Sequence, residues 1–241
     1  MTTIEANLQA VRRRIEAACR AAGRDAQQVR LLAVSKTFPA AAVREALACG
    51  QQDFGENYVQ EAVAKIGQCG AAGTAQPTWQ CIGPIQANKT RLVAGHFAWV
   101  QSIDRLRIAQ RLNDQRPAQL PPLQVCIQVN TDGGPTKAGV TPDALPELAR
   151  QIRQLPRLQL RGLMTIPEPE ADFAAACALH ARARVLFEQL QAEGHRLDTL
   201  SMGMSADLEA AIHAGSTMVR VGTAIFGART VSASAGLMFP A

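Results

Sequence analysis

Eight short apolar segments alternate with helix-patterned stretches along most of this chain, and that alternation limits the fold more than any single motif. Strand candidates start near Leu31, Asp53, Trp79, Phe97, Leu123, Gln159, Thr199 and Thr217. Helical spacing of apolar residues marks 40–49, 58–68, 105–115, 142–154, 171–193 and 206–214 between them. Gly50, Gly83-Pro84, Gly194 and Gly215 punctuate the junctions. Eight strand–helix units within roughly 200 residues predict a single (β/α)8 barrel. An open doubly wound sheet is the alternative, though it normally has fewer strands. Ile4, Leu8, Val11 and Ile15 predict an extra helix before the first strand, with Thr2 and Glu5 in capping-box positions. The expected domain spans 1–230, and 231–241 reads as a small, apolar, unpatterned tail.

In such a barrel the chemistry lies at the C-terminal ends of the strands. Lys36 closes the apolar run Leu31-Leu32-Ala33-Val34-Ser35. A lysine there, if partly desolvated, loses its proton more readily and becomes a nucleophile suited to an aldehyde cofactor. It could equally be an ordinary strand-end lysine reaching water. Asn57, Gly83-Pro84 and Met164 follow strands two, three and six. Ser201-Met202-Gly203-Met204-Ser205 follows strand seven and leads into a helix, with Ser205 as candidate N-cap. Arg220-Val221-Gly222-Thr223 closes strand eight and precedes a short helix. Loops seven and eight with a short helix are where these barrels hold phosphate. Either loop could also be a plain turn and cap. Asp207 and Glu209 near the helix start would repel a phosphate unless they point to solvent. Arg220 is expected at the mouth, or paired with a carboxylate at the rim.

Other signals carry less. The six cysteines are scattered without a C-x-x-C pair, and the four histidines lack ligand spacing, so no metal site is expected. The cysteines read as buried thiols of a reducing cytoplasm. No apolar stretch is long enough for a membrane span. A net charge of +5 invites nucleic acid, but the basic residues are dispersed and there is one tyrosine, so nucleic-acid binding is disfavoured. Asp53-Phe54-Gly55 copies a kinase triplet without the other kinase motifs.

Several stretches, in order, resemble the YggS/PROSC family of pyridoxal 5′-phosphate (PLP) homeostasis proteins. They include Leu32-Ala33-Val34-Ser35-Lys36-Thr37, Phe54-Gly55-Glu56-Asn57-Tyr58, Ile82-Gly83-Pro84-Ile85-Gln86 and Asn88-Lys89-Thr90-Arg91. Gln128-Val129-Asn130, Lys137-Ala138-Gly139-Val140, Arg161-Gly162-Leu163-Met164, Leu200 to Ser205 and Val219 to Gly227 continue the series. One departure is Gln80-Cys81 after Trp79, where the family more often has His and an apolar residue. The resemblance implies a barrel like the N-terminal domain of alanine racemase, with PLP held on Lys36 as a Schiff base. Ser205, Gly222 and Thr223 would hold the phosphate with help from amides near Met204, and Ser201 would also belong to the cofactor site. Arg220 would approach the ring nitrogen, and Asn57 and Met164 would border the ring.

An arginine at that nitrogen weakens the ring as an electron sink. Related racemases add a second domain with a tyrosine base, whereas Tyr58, the single tyrosine, follows strand two. The expectation is therefore a monomeric PLP carrier with little or no turnover, with apo PLP-dependent enzymes as acceptors. A racemase with an unrecognised second base, or an RNA-associated protein in which PLP is incidental, are the alternatives. Lys89 and Lys137 are accessory candidates at the same rim. Lys137 is expected to offer the aldehyde a way off Lys36, or else both lysines merely attract an anion.

Overall fold

A computed structural model describes residues 2–70, 76–134 and 137–228, so the 231–241 tail and Pro135 of the glycine-rich loop lie outside the described residues. Eight parallel strands close into a barrel in sequence order: β1 (Arg30–Val34), β2 (Asp53–Glu56), β3 (Thr78–Cys81), β4 (Trp99–Ile103), β5 (Leu123–Gln128), β6 (Leu158–Met164), β7 (Thr199–Ser201) and β8 (Met218–Val221). β8 closes on β1 with Leu32 opposite Arg220. The open-sheet alternative is thereby excluded. Each strand begins within two residues of its predicted start.

The helices are α1 (Thr3–Ala21), α2 (Ala40–Ala48), α3 (Val59–Cys69), α4 (Thr90–His96), α5 (Leu106–Gln115), α6 (Leu145–Arg153), α7 (Phe173–Ala192), α8 (Leu208–His213) and α9 (Thr223–Phe226). Thr2 caps α1, its hydroxyl accepting from the Glu5 N–H at 3.2 Å. α4 has no counterpart in the sequence reading. It is one short stretch behind a 3-10 turn, too brief to show a period. The helix after β8 is only four residues long, and α1 packs against α2, α8 and α9 in its place. The N-terminal helix thus completes the outer ring, which is why an apolar stripe was needed before the first strand.

The main core lies between strands and helices, built from outward residues such as Ala33, Phe54, Trp79, Val100, Val125, Leu163 and Val219. Inside the barrel, Trp99, Cys126 and Met164 form a separate apolar cluster. Arg30 and Arg161 lie over the Trp99 ring, 5.4 and 4.9 Å from its centroid. Arg161 is paired with Asp198. Among the described residues no helix is long and apolar enough to cross a membrane, and no group of His, Cys, Asp and Glu could hold a metal.

Candidate functional site

Lys36 sits one residue past Ser35 in a tight turn where β1 ends, and its side chain is half-buried. The Phe38 N–H donates to the Ser35 carbonyl at 3.1 Å, closing the turn, while the Ser35 N–H anchors it to Gly55 at 3.0 Å. Thr37, next to Lys36, has φ +70°, a left-handed value found at no other non-glycine residue among those described. Behind the turn lies a buried polar cluster the sequence reading missed. Lys65 Nζ donates to the Ser35 carbonyl at 2.8 Å and to Glu56 Oε1 at 2.6 Å. Ser35 Oγ donates to the same Glu56 oxygen at 2.6 Å. Burial pushes the Glu56 carboxyl above its ordinary range, with the Lys65 and Ser35 hydrogen bonds pulling it back. The available signal was a lysine at the core register of α3, in step with Val59, Ala62 and Cys69.

Loops seven and eight come together beside that turn. A Cβ on Gly222 would stand 3.1 Å from the Val34 carbonyl oxygen, so glycine lets loop eight press against the end of β1. Phe38 and Phe226 stack with ring centroids 5.1 Å apart, joining the Lys36 turn to α9. Arg220 N–H donates to the Gly203 carbonyl at 3.0 Å, tying loop seven to β8. Helix α1 grips both loops from outside. Arg14 Nη2 donates to the Ser205 carbonyl at 3.0 Å, and Asn7 Nδ2 donates to the Ile225 carbonyl at 2.9 Å. Ser205 is half-buried and Thr223 exposed, so both hydroxyls can meet a ligand at the surface of the mouth.

Several expectations need correction here. Ser205 does not cap α8, which starts three residues later with Asp207 at its N-cap position. Asp207 and Glu209 do not point freely to solvent. Glu209 pairs with Arg14 at 2.8 Å. Asp207 takes the His180 ring at 2.9 Å and the Met204 N–H at 2.6 Å. The Met204 amide is therefore already engaged, and its side chain is exposed on the rim. Both acids are engaged by partners, Glu209 by Arg14 and Asp207 by His180 and the Met204 N–H, so neither carboxylate is left free between the loops. Burial would raise the Asp207 carboxyl, but the His180 and Met204 hydrogen bonds hold it below its ordinary range.

Arg220 is neither at the rim nor paired with a carboxylate by a hydrogen bond. It lies in β8, 4% exposed, and points into the barrel. Its Nη1 donates to Ser201 Oγ at 2.8 Å and its Nη2 to the Thr165 carbonyl at 2.7 Å. Burial pushes its pKa down to about 10, so it remains a cation at neutral pH. Ser201 is fully buried and serves Arg220 from beneath. From there a hydrogen-bonded chain crosses the interior. Ser201 Oγ donates to Gln101 at 2.7 Å, Gln101 to Gln80 at 2.7 Å, and Gln80 to Asp53 at 2.8 Å, where Arg30 also donates at 2.6 Å. Gln80, the departure noted in the sequence, supplies a donor at one side and an acceptor at the other.

Asn57 and Met164 frame the mouth differently. Met164 is fully buried against Trp99 and Cys126. Asn57 follows β2 beneath Gly83, where any Cβ would come within 2.5 Å of the Asn57 carbonyl oxygen. Asn57 Oδ1, Glu56 Oε2 and Thr165 Oγ1 are buried without hydrogen-bond partners at this end of the barrel. A cleft of about 640 Å³ opens beside Asn57 and is edged by Tyr58, Gln86, Lys89 and Arg105. Lys89 thus stands where a rim lysine was expected. Lys137 is bound to Asp132 at 2.6 Å and Glu168 at 2.9 Å. Burial would lower its pKa, yet these two carboxylates raise it, which favours the ammonium form in this arrangement.

Residues 6–230 match the family described as alanine racemase, N-terminal domain. The chain is 58% identical to the pyridoxal phosphate homeostasis protein of Pseudomonas aeruginosa, covering 98% of this chain and 100% of that one. PipY of Synechococcus elongatus, solved with PLP bound, is 38% identical with a TM-score of 0.79, covering 93% of this chain and all of PipY. An alanine racemase of Clostridium difficile shares the fold at 15% identity and a TM-score of 0.73, with 95% of this chain matched to 58% of the racemase. The ordered motifs, the closed barrel and full-length similarity to these relatives place the chain in the pyridoxal phosphate homeostasis protein family, within the alanine racemase N-terminal domain fold.

Proposed function

We propose that this protein binds PLP through Lys36 and acts in intracellular PLP supply, with little or no turnover of its own. One observation carries the reading: a half-buried lysine on a clamped turn stands beside two loops gathered by α1, with unpartnered polar atoms around the same mouth. Asn57 Oδ1 and Thr165 Oγ1 are acceptor capacity that a polar ligand would satisfy. Thr223 is exposed just after Gly222, where a phosphate would meet its hydroxyl. These residues fit the cofactor.

When bound, PLP supplies an aldehyde that joins an amine and a ring that withdraws electrons. Lys36 would provide the covalent attachment. Ser205, Gly222 and Thr223 would hold the phosphate, and Asn57 and Met164 would border the ring. Arg220, a cation hydrogen-bonded to Ser201 and the Thr165 carbonyl, would face the ring nitrogen and would not hand it a proton. Racemisation needs proton donors on both faces. The single tyrosine, Tyr58, is 54% exposed in the neighbouring cleft, so we do not assign it as a second proton donor. On this reading the protein is a monomeric carrier that passes PLP to apo-enzymes in the cytoplasm. All six cysteines are free thiols, in keeping with a reducing compartment.

Borohydride reduction of the PLP-loaded protein, followed by trypsin and mass spectrometry, tests the reading. The adduct should appear on Lys36 within an uncut 31–44 peptide, and Lys36→Ala should abolish it. An adduct only on Lys65, Lys89 or Lys137 would refute the assignment. Robust racemase or transaminase turnover by the wild type would overturn the carrier role.

A further inference from the structure

The strongest unassigned feature is the residue directly after Lys36. Thr37 adopts φ +70° although it is β-branched, and glycine is the residue that normally occupies such a place in a tight turn. What holds it there is a carboxylate. The Thr37 N–H donates to Glu61 Oε1 at 2.8 Å. Glu61 is in turn fixed by Lys65, one helical turn along α3, at 3.1 Å. Lys65 is almost fully buried and also grips the Ser35 carbonyl and Glu56. The residues immediately before and after Lys36 are therefore both bound to one rigid helix.

We propose that Glu61 and Lys65 are positioning residues for Lys36: together they impose a strained turn that aims its amine into the barrel mouth. The inference rests on the functional reading above for its consequence, PLP loading, but not for the clamp itself. The physical logic is specific. A threonine released by Glu61 relaxes toward negative φ, which rotates the peptide that follows Lys36. A glycine at position 37 keeps the positive φ without needing to be held. Loss of the carboxylate and relief of the strain should therefore compensate each other. A carboxylate that served only surface solubility or helix stability would show no such coupling.

The experiment compares wild type, Glu61→Ala, Thr37→Gly and the double variant. Glu61 is partly exposed, so its replacement leaves the core intact. Two readouts are used: PLP affinity by absorbance titration, and exchange of the Thr37 amide hydrogen in cofactor-free protein. Glu61→Ala should weaken PLP binding roughly tenfold, as loss of a charge-assisted hydrogen bond does, and speed Thr37 exchange by a similar factor. Thr37→Gly alone should bind PLP as wild type does. The double variant should recover at least threefold of the lost affinity. Wild-type behaviour of Glu61→Ala in both readouts, or a double variant as weak as Glu61→Ala, would overturn the clamp. Should the wild type itself take up no PLP, the functional reading falls, and Thr37 exchange alone still decides whether Glu61 holds the turn.

Discussion

The two ends of the barrel interior follow opposite rules. At the floor, Trp99 fills the space under Arg30 and Arg161, and each guanidinium is also matched with an acid, Asp53 or Asp198. At the mouth, Glu56 Oε2, Asn57 Oδ1 and Thr165 Oγ1 are buried without partners, and Thr37 carries backbone strain. Buried polar atoms are costly when unmatched, so a sequence tolerates them where another requirement competes with stability. The floor is built to hold the barrel closed. The mouth keeps hydrogen-bonding capacity for something that arrives from outside.

The largest test of that contrast is Trp99→Ala. Removing a buried indole should cost about 3–5 kcal/mol in denaturant unfolding. At saturating PLP the folded variant should still form the Lys36 adduct. Loss of the adduct with the fold intact by circular dichroism would show that floor and mouth are one functional unit. Next comes the double change Ser205→Ala with Thr223→Val at the mouth. PLP retention should fall by about tenfold or more, since losing hydrogen bonds to a charged group costs roughly 1.5–3 kcal/mol. Unfolding stability should move by less than about 0.5 kcal/mol, as for other accessible positions. Retention equal to wild type in a dialysis assay would remove these hydroxyls from the phosphate site. The smallest effect is expected at Thr165→Val, which deletes an unmatched buried hydroxyl. It should raise stability by about 1 kcal/mol in the cofactor-free protein, the reverse of an ordinary core polar-to-apolar change. A loss of stability would mean that the hydroxyl is satisfied in solution and the mouth is less open than described.

The legible part of the site was the part carried by contiguous residues. Lys36 at a strand end and the Ser201–Ser205 and Arg220–Thr223 loops could be placed at one end because strand order alone puts them there. What stayed hidden depends on side chains from distant segments. Arg14 and Asn7 look like ordinary polar positions on an amphipathic helix, yet they hold the two loops of the mouth from about two hundred residues away. Lys65 and Glu61 stand four residues apart, and the seating of α3 against β1 buries the lysine. Asp207 and Glu209 looked like a repulsive obstacle until His180 and Arg14 were found against them.

Periodicity determined the fold class, because a buried parallel strand and an amphipathic helix each leave a repeating apolar pattern that chain order preserves. With the general rule for such barrels, it also pointed to the strand ends where a site is expected. The tertiary structure decided the rest. It turned Arg220 inward onto Ser201, threaded Gln101, Gln80 and Asp53 into one interior chain, and set α1 in the gap left by a four-residue last helix. Such choices arise from closing the barrel, which brings inward side chains of non-adjacent strands within hydrogen-bond range. Local pattern does not encode that distance, because it depends on the tilt and register of all eight strands at once.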